Sequence, residues 1–394
     1  RIPRPGLCVK RGQGAGGRGQ EPDVAQVCAT TERLTVIKMS KYIAYIGAYG
    51  AGIPVLSVDG HSGAIELLGI HRGFERPTYL KVSADKRFLY ACAGLEEFAG
   101  TGRGALAAFA IDGDRLHFLN ARPSLAGPPC YIMTDRRNQY IFAANYHEGT
   151  GISYRLAADG SIAGEGEPLR HHGRGPYPGR QEQAHVHCME LAPSEQVLYA
   201  VDLGIDTVKA YAVGQAGRIL TPFPEADLHE APGAGPRHIV FSRNGRFAYL
   251  INELACTVSV WDVSTAAKPV SLQTLSILPK SWQGENTAAA IKLSEDGTRL
   301  CCSNRGHDSL AIFAVDKNNG RLELMGFSPT LGRGPRDFEF VPGGRFILTA
   351  HQYTDTLVMH AFDAKNGCLE TEAVGVLTLP LQPVCVKFGN TKEY

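Results

Sequence analysis

Gly235-Pro236-Arg237-His238-Ile239-Val240-Phe241-Ser242-Arg243-Asn244-Gly245-Arg246-Phe247-Ala248-Tyr249-Leu250-Ile251-Asn252-Glu253-Leu254 reads as two β-strands around a tight turn. Asn244-Gly245 is the strongest short hairpin signal in the stretch, because both residues accept the positive φ of a type I′ turn. Folding about that turn sets Asn252 opposite Arg237, with Glu253 beside it. A basic and an acidic group then meet at the open end of one hairpin.

The same pattern returns along the chain. An apolar strand, a turn with Asp, Asn or Gly, a second apolar strand and a polar cluster recur. The copies start near Arg76, Gly127, His185, Gly235, Thr287 and Pro335. Tyr90, Phe142, Tyr199, Tyr249, Cys301 and Leu348 are equivalent, which gives a period of about 50 residues, in the propeller range. A third strand follows, as in Thr257–Trp261 and Ser309–Phe313, and a weaker fourth closes each unit. Residues 42–49 form a strand with no preceding partner, and 383–388 match a first strand with nothing after it. Pairing these two ends closes the ring and removes exposed sheet edges. The expected fold is therefore all-β, a seven-bladed β-propeller with few and short helices, occupying residues 39–394.

Composition agrees with this reading. Single cores stop growing near about 250–300 residues, and a propeller avoids the limit by dividing its core among blades. The 45 glycines suit many tight turns. A formal charge of +1 provides no bulk basic field for nucleic acid, and no apolar run has transmembrane length. The ten cysteines form no Cys-x-x-Cys pair and mostly fall in strand patterns, as reduced core thiols of a cytoplasmic protein would. Residues 1–38 are rich in Gly and Arg and lack the apolar stretch of a signal peptide, whereas Met39-Ser40-Lys41 directly precedes the first strand. They read as an upstream leader without structure or function, with a basic tail as the alternative.

The first strand of a propeller blade lines the central channel, and the second strand ends where the first begins. One rim therefore collects Asn145, His185, His187, Asp202, Arg237, Asn252, Glu253, Asn304, Arg305, Arg336 and His351. The opposite, turn-bearing ends carry ordinary solvated charges. A long connection at about 164–184, with Arg170, His171, His172, Arg174, Arg180 and Glu182, leads to the same rim. Each group also has a structural reading. Arg237 and Glu253 could brace two strands, Asp202 could hold a histidine, and Asn145, Asn252 and Asn304 could satisfy loop backbone. His185 and His187 alternate on a strand and would face one side, but no third ligand follows at metal spacing, so no metal or other cofactor is expected.

At these residues the chain resembles the seven-bladed propeller lactonases, the bacterial 6-phosphogluconolactonase type, with fungal carboxy-cis,cis-muconate cyclase as a relative. The resemblance covers about residues 40–390 and is strongest in Gly233–His238 with Tyr249, Asn252, Glu253 and Leu254. It continues through Ala289–Ile291, Asn304–Ser309, Gly334–Phe338 and His185-x-His187. It implies hydrolysis of the phosphorylated sugar lactone of the oxidative pentose phosphate pathway. It also carries the cyclase relatives' proposed catalytic His, two Arg and Glu onto the His185/His187 pair, Arg237, Arg305 and Glu253.

Lactone hydrolysis needs a base to activate water, cationic donors for the oxyanion, and a proton for the leaving alkoxide. Glu253 or His187 is the candidate base, Arg237 holds the oxyanion or the base, and Arg305 with Arg336 suits a phosphate clamp. Asn145, Arg180, Asn252, Asn304, Arg336 and His351 complete the candidate substrate-binding set. No Gly-x-Ser-x-Gly elbow and no Cys/His signature stand out, so an acyl-enzyme is not expected. Two other readings remain, a cycloisomerase on a muconate-type lactone and a non-enzymatic propeller binding a partner at its rim. The partner reading calls for an apolar rim, which this chain does not have. The expected partner is a small phosphorylated sugar lactone, with the chain a monomer or weak homo-oligomer.

Overall fold

The computed structural model describes residues 41–94, 104–215 and 217–392; the expectation for residues 1–38 lies outside them. Within the opening hairpin, Pro236–Phe241 pairs antiparallel with Phe247–Asn252. The turn is not type I′. The Gly245 N–H donates to Ser242 O and only Gly245 takes positive φ, at 70°, while Ser242 N–H reaches Phe247 O. A connection of this length favours a type I turn followed by a left-handed residue. The same i to i+3 bond recurs at Lys86, Asn138, Glu195, Gly297 and Gly344, each with φ between 55° and 72°.

The described residues form seven antiparallel sheets, six of four strands and one of five, in which the short strand Leu228–His229 also pairs with Thr207–Val213. Six blades begin with their inner strands at Leu80–Val82, Tyr131–Thr134, Val186–Leu191, Pro236–Phe241, Thr287–Leu293 and Pro335–Phe340. The seventh takes its inner strand, Pro383–Lys392, from the C-terminal end and pairs it with Lys41–Ala48. The ring therefore closes as the repeat pattern predicts. Among the described residues, the only helical turns are two 3₁₀ segments, Leu203–Ile205 and Pro224–Ala226. No helix of the described residues is long and apolar enough to cross a membrane.

Repeat equivalence holds at the level of register. Tyr90, Phe142, Tyr199, Tyr249, Cys301 and Leu348 oppose Lys81, Met133, Glu190, Val240, Lys292 and Glu339. Tyr45 opposes Lys387 in the seventh blade. All seven second-strand residues are buried, and they pack the interior of their blades. The eight described cysteines are free, and six are buried.

One register detail corrects the reading of the opening stretch. Pro236, not Arg237, opposes Asn252, and the next pair is His238 with Ile251. Arg237 is the extra residue of a β-bulge. His187 and Arg336 sit in matching irregularities, between Val186 and Cys188 and between Pro335 and Asp337. A bulge re-aims one side chain while the flanking ladder continues, so one residue in each of these inner strands is free to turn toward the channel mouth.

Candidate active site

Glu253 follows directly on the second strand of its blade and is 4% exposed. Its backbone N–H donates to Gly235 O at 2.7 Å. Gly235 has φ +62° and a Cβ there would lie 2.4 Å from Leu254 Cγ, so the close approach of Gly-Pro-Arg to Asn-Glu-Leu requires glycine. The carboxylate meets three guanidiniums. Arg237 Nε donates to Oε2 at 2.9 Å, Arg305 Nη2 lies 3.1 Å from Oε2, and Arg180 Nη2 donates to Oε1 at 2.6 Å. Burial opposes ionisation of Glu253, but Arg305 and Arg237 outweigh it and hold the carboxyl well below the usual carboxylate range.

The cations are fixed in turn. Arg237 is 3% exposed and its Nη1 donates to Ala289 O at 2.7 Å. Burial, then Arg305 and Arg336, lower its pKa to about 10, so it stays charged at neutral pH. Arg305 ends the second strand of the next blade and donates from Nη2 to Ala288 O, while its buried Nε–H has no protein partner.

Arg180 arrives from a connection that overhangs the mouth. Its boundaries differ from the sequence reading, because Ile162–Arg170 is the outer strand of the blade that begins at Tyr131–Thr134. Only the residues after it overhang. Gln181 pins that segment by donating to Leu203 O and Asp206 Oδ1, both at 2.7 Å, and buried His171 sits 2.7 Å from Asp202 Oδ2 and 3.0 Å from Tyr211 Oη. Asp202 therefore holds the His171 ring through one oxygen, while its Oδ1 accepts the backbone N–H of His185 at 2.7 Å, so it fixes the chain at His185 and not an imidazole of the His185/His187 pair.

Glu253, Arg180 and Arg305 line a cavity of about 500 Å³, whose walls also include Tyr49, Arg76, Thr78, Cys130, Tyr146 and Tyr353. His187 and Arg336 line it as well. Five guanidiniums, those of Arg76, Arg180, Arg237, Arg305 and Arg336, surround the cavity and its floor against the single carboxylate of Glu253. His187 is buried, and burial and then Arg237 push its pKa well below the ordinary imidazole value, so it is neutral. Cys130 Sγ lies 4.0 Å from His187 Nδ1 and donates to His187 O at 3.4 Å. Burial pushes this thiol up to about 12, so the Cys/His neighbourhood that sequence did not reveal holds a thiol and no thiolate.

Other rim residues from the sequence are not brought into the cavity. Asn145 Nδ2 donates to Ser124 O and Thr150 Oγ1, Asn252 Nδ2 to Thr257 Oγ1 and Ser259 Oγ, and Asn304 Nδ2 to Ile277 O. His351 is fully buried, 3.4 Å from Thr356 Oγ1. Each ties the end of a second strand to its surroundings, the bland reading weighed for the asparagines. His185 and His187 do not face one side, because the bulge separates them. His185 stacks on Tyr146 at 4.4 Å with Nδ1 2.9 Å from Tyr146 O, outside the cavity lining.

The opposite mouth holds a larger cavity, about 590 Å³, containing Lys81, Glu190, Lys292, Glu339 and Lys387. Its charges are mostly matched across blades. Lys292 lies 2.8 Å from Glu339 and 3.5 Å from Asp337, Lys387 lies 3.6 Å from Asp337, and Tyr131 Oη donates to Glu190 at 2.5 Å. The smaller cavity differs in that its charge is unbalanced. No group of three His, Cys, Asp or Glu among the described residues is arranged to hold a metal.

The family model described as "Lactonase, 7-bladed beta-propeller" matches residues 43–388. A 6-phosphogluconolactonase of Bacillus subtilis is 33% identical over 358 residues, 89% of this chain and 99% of that protein. The crystal structure of a putative 6-phosphogluconolactonase from Bacteroides fragilis superposes with a TM-score of 0.80 at 31% identity, covering 89% of this chain and 98% of that one. The periplasmic gluconolactonase of Pseudomonas aeruginosa gives a TM-score of 0.82 at 31% identity, covering 89% and 100%. With the closed seven-bladed ring and the rim cavity described above, these matches identify the chain as a lactonase-type hydrolase of the seven-bladed β-propeller lactonase family.

Proposed function

We propose that the protein hydrolyses an anionic sugar lactone, 6-phospho-D-glucono-1,5-lactone to 6-phosphogluconate, in the oxidative pentose phosphate pathway. The observation that carries this reading is the formal excess of four positive charges around the rim cavity, five guanidiniums against one carboxylate. A site of this sign concentrates an anionic substrate. The name of the Bacillus relative supports the choice of lactone. Free thiols at every described cysteine suit a cytoplasmic setting.

Neutral His187 takes the proton from the attacking water as the water oxygen bonds to the lactone carbonyl carbon. Arg305, with its unpaired Nε–H, and Arg237 stabilise the oxyanion. Collapse breaks the bond to the ring oxygen, which takes the proton back from His187, and the new acid ionises. Glu253 is the positioning residue. Its fixed charge holds Arg180, Arg237 and Arg305 against one another's repulsion.

Anion binding also tunes the base. The cationic surroundings depress the His187 pKa in the empty site, and a bound anion cancels part of that field, raising the basicity of His187 when it is needed. The test is hydrolysis of freshly generated 6-phosphogluconolactone, followed against its spontaneous background. A rate no greater than background overturns the proposal.

A further inference from the structure

We propose that Arg76, Tyr49 and Arg336 form an anion clamp that recognises the charged arm of the substrate, apart from the arginines that attend Glu253. The inference rests on the lactonase reading for the identity of the substrate, but its geometry stands alone. The cavity holds two populations of cation. Arg180, Arg237 and Arg305 are all engaged by Glu253. Among the described residues Arg76 and Arg336 make no ion pair, and Arg336 Nη1 donates to Gln352 Oε1 at 3.4 Å. Both converge on one ring, with Arg76 Cζ 5.4 Å and Arg336 Cζ 5.6 Å from the Tyr49 centroid.

Stacking of this kind orients a guanidinium while leaving its N–H fork free for a bidentate anion. Two like charges held on one ring repel until an anion lies between them. Phosphate and carboxylate share this chemistry. The assignment also changes the expected role of Arg305. Engaged by Glu253 and Ala288 O, it is not available as half of a phosphate clamp, and Arg76 takes that place. Arg76 escapes notice in the sequence because it stands before the first strand of its blade, at φ 49°, and outside the strand-end pattern.

The test compares wild type and Arg76→Ala on 6-phosphogluconolactone, on glucaro-1,4-lactone, which carries a carboxylate instead, and on neutral glucono-1,5-lactone. A charge-assisted contact predicts a KM rise of about 10- to 100-fold on an anionic lactone, with kcat little changed and neutral-lactone kinetics unaffected. A rise with the phosphate alone, the carboxylate alone or both supports the clamp and defines its anion. An equal effect on all three substrates, or none, overturns it. Arg76→Lys should recover part of the loss, whereas no recovery together with a lowered melting temperature would mark a structural role and reject the clamp.

Calorimetric titration with 6-phosphogluconate and gluconate separates this inference from the lactonase reading. If wild type turns over no lactone yet prefers the phosphorylated ligand, and Arg76→Ala abolishes the preference, the clamp stands and the substrate reading falls. If wild type hydrolyses lactones but binds both ligands equally, the clamp is wrong.

Discussion

Arg180 and Glu253 meet at 2.6 Å although they stand 73 positions apart in sequence, and this contact ties the overhanging connection to the carboxylate at the channel mouth. Glu253 thereby becomes the node of a four-residue ion cluster in which its own side chain and those of Arg237 and Arg305 are buried. The first prediction follows from its burial. An exposed pair would contribute at most about 1 kcal/mol, but removing one partner from a buried pair costs about 3–5 kcal/mol. Glu253→Gln should lower stability in that range, read by urea unfolding, and lower kcat by roughly 10²–10³ through loss of arginine positioning. Full activity in that variant would refute the positioning role.

Arg180 behaves differently, because its side chain is 35% exposed. Arg180→Ala should cost under about 1 kcal/mol of stability. If Arg180 closes the site over substrate, kcat/KM should fall while the unfolding midpoint scarcely moves. A large drop in the midpoint would instead make it a structural tie.

As the proposed base, His187 should set the acid limb of the pH profile. The base must be neutral, and its pKa lies well below the ordinary imidazole value because of burial and Arg237. As pH falls, kcat/KM should hold through the range where free imidazole titrates, near a pKa of about 6.5, and decline only below it. Substrate anion raises that pKa, so the limb of kcat should lie at higher pH than that of kcat/KM. Coincident limbs would argue against field coupling between anion and base. His187→Gln should remove the limb along with most of kcat.

His351 and His360 govern acid stability. Burial lowers both to about 4, with His360 adding its field to His351. The unfolded chain takes up these protons near pH 6.5 while the folded chain does not, so stability is present above that pH and is lost as pH falls toward 4. Each histidine should contribute a loss on the order of 1–3 kcal/mol over this window. His360→Gln should flatten the dependence of the urea midpoint on pH, and an unchanged slope would show the histidine is not involved.

Ring closure makes a fourth stability test. Pro383–Lys392 is the inner strand of the blade that also holds Lys41–Ala48. Truncation after Gln382 should abolish cooperative unfolding, whereas a truncated chain melting near the full-length temperature would contradict closure as a source of stability.

Most of the architecture was legible because it repeats. A strand, a turn and a buried aromatic recurring at Tyr90, Phe142, Tyr199 and Tyr249 establish blade count and register without any contact being known. The site was half legible. Polar residues at strand ends were visible, yet their direction was not, because a single bulge decides whether a side chain meets the channel or the blade. Asn252 and Glu253 are neighbours, and one ties strands while the other binds three arginines. Carrying the equivalence one residue further finds the missing members. Of the positions matching Glu253, Tyr49, Tyr146 and Arg305 line the cavity whereas Gly94, Leu203 and Gln352 do not, and those matching Arg237 include Thr78, Cys130, His187 and Arg336, which line the cavity or its floor. Arg76 obeys neither rule.

The channel is blocked between its two mouths. Tyr79 stacks on Tyr131 at 4.4 Å, His238 lies 5.1 Å from Tyr131, and Tyr79 and His238 border both the larger cavity and the floor of the smaller. Traffic through the molecule is therefore closed, and the doorway that admits lactone must also discharge the hydrolysed acid. Entry and exit exclude one another, so accumulated acid slows turnover by occupying the vestibule, and inhibition by product takes the competitive form.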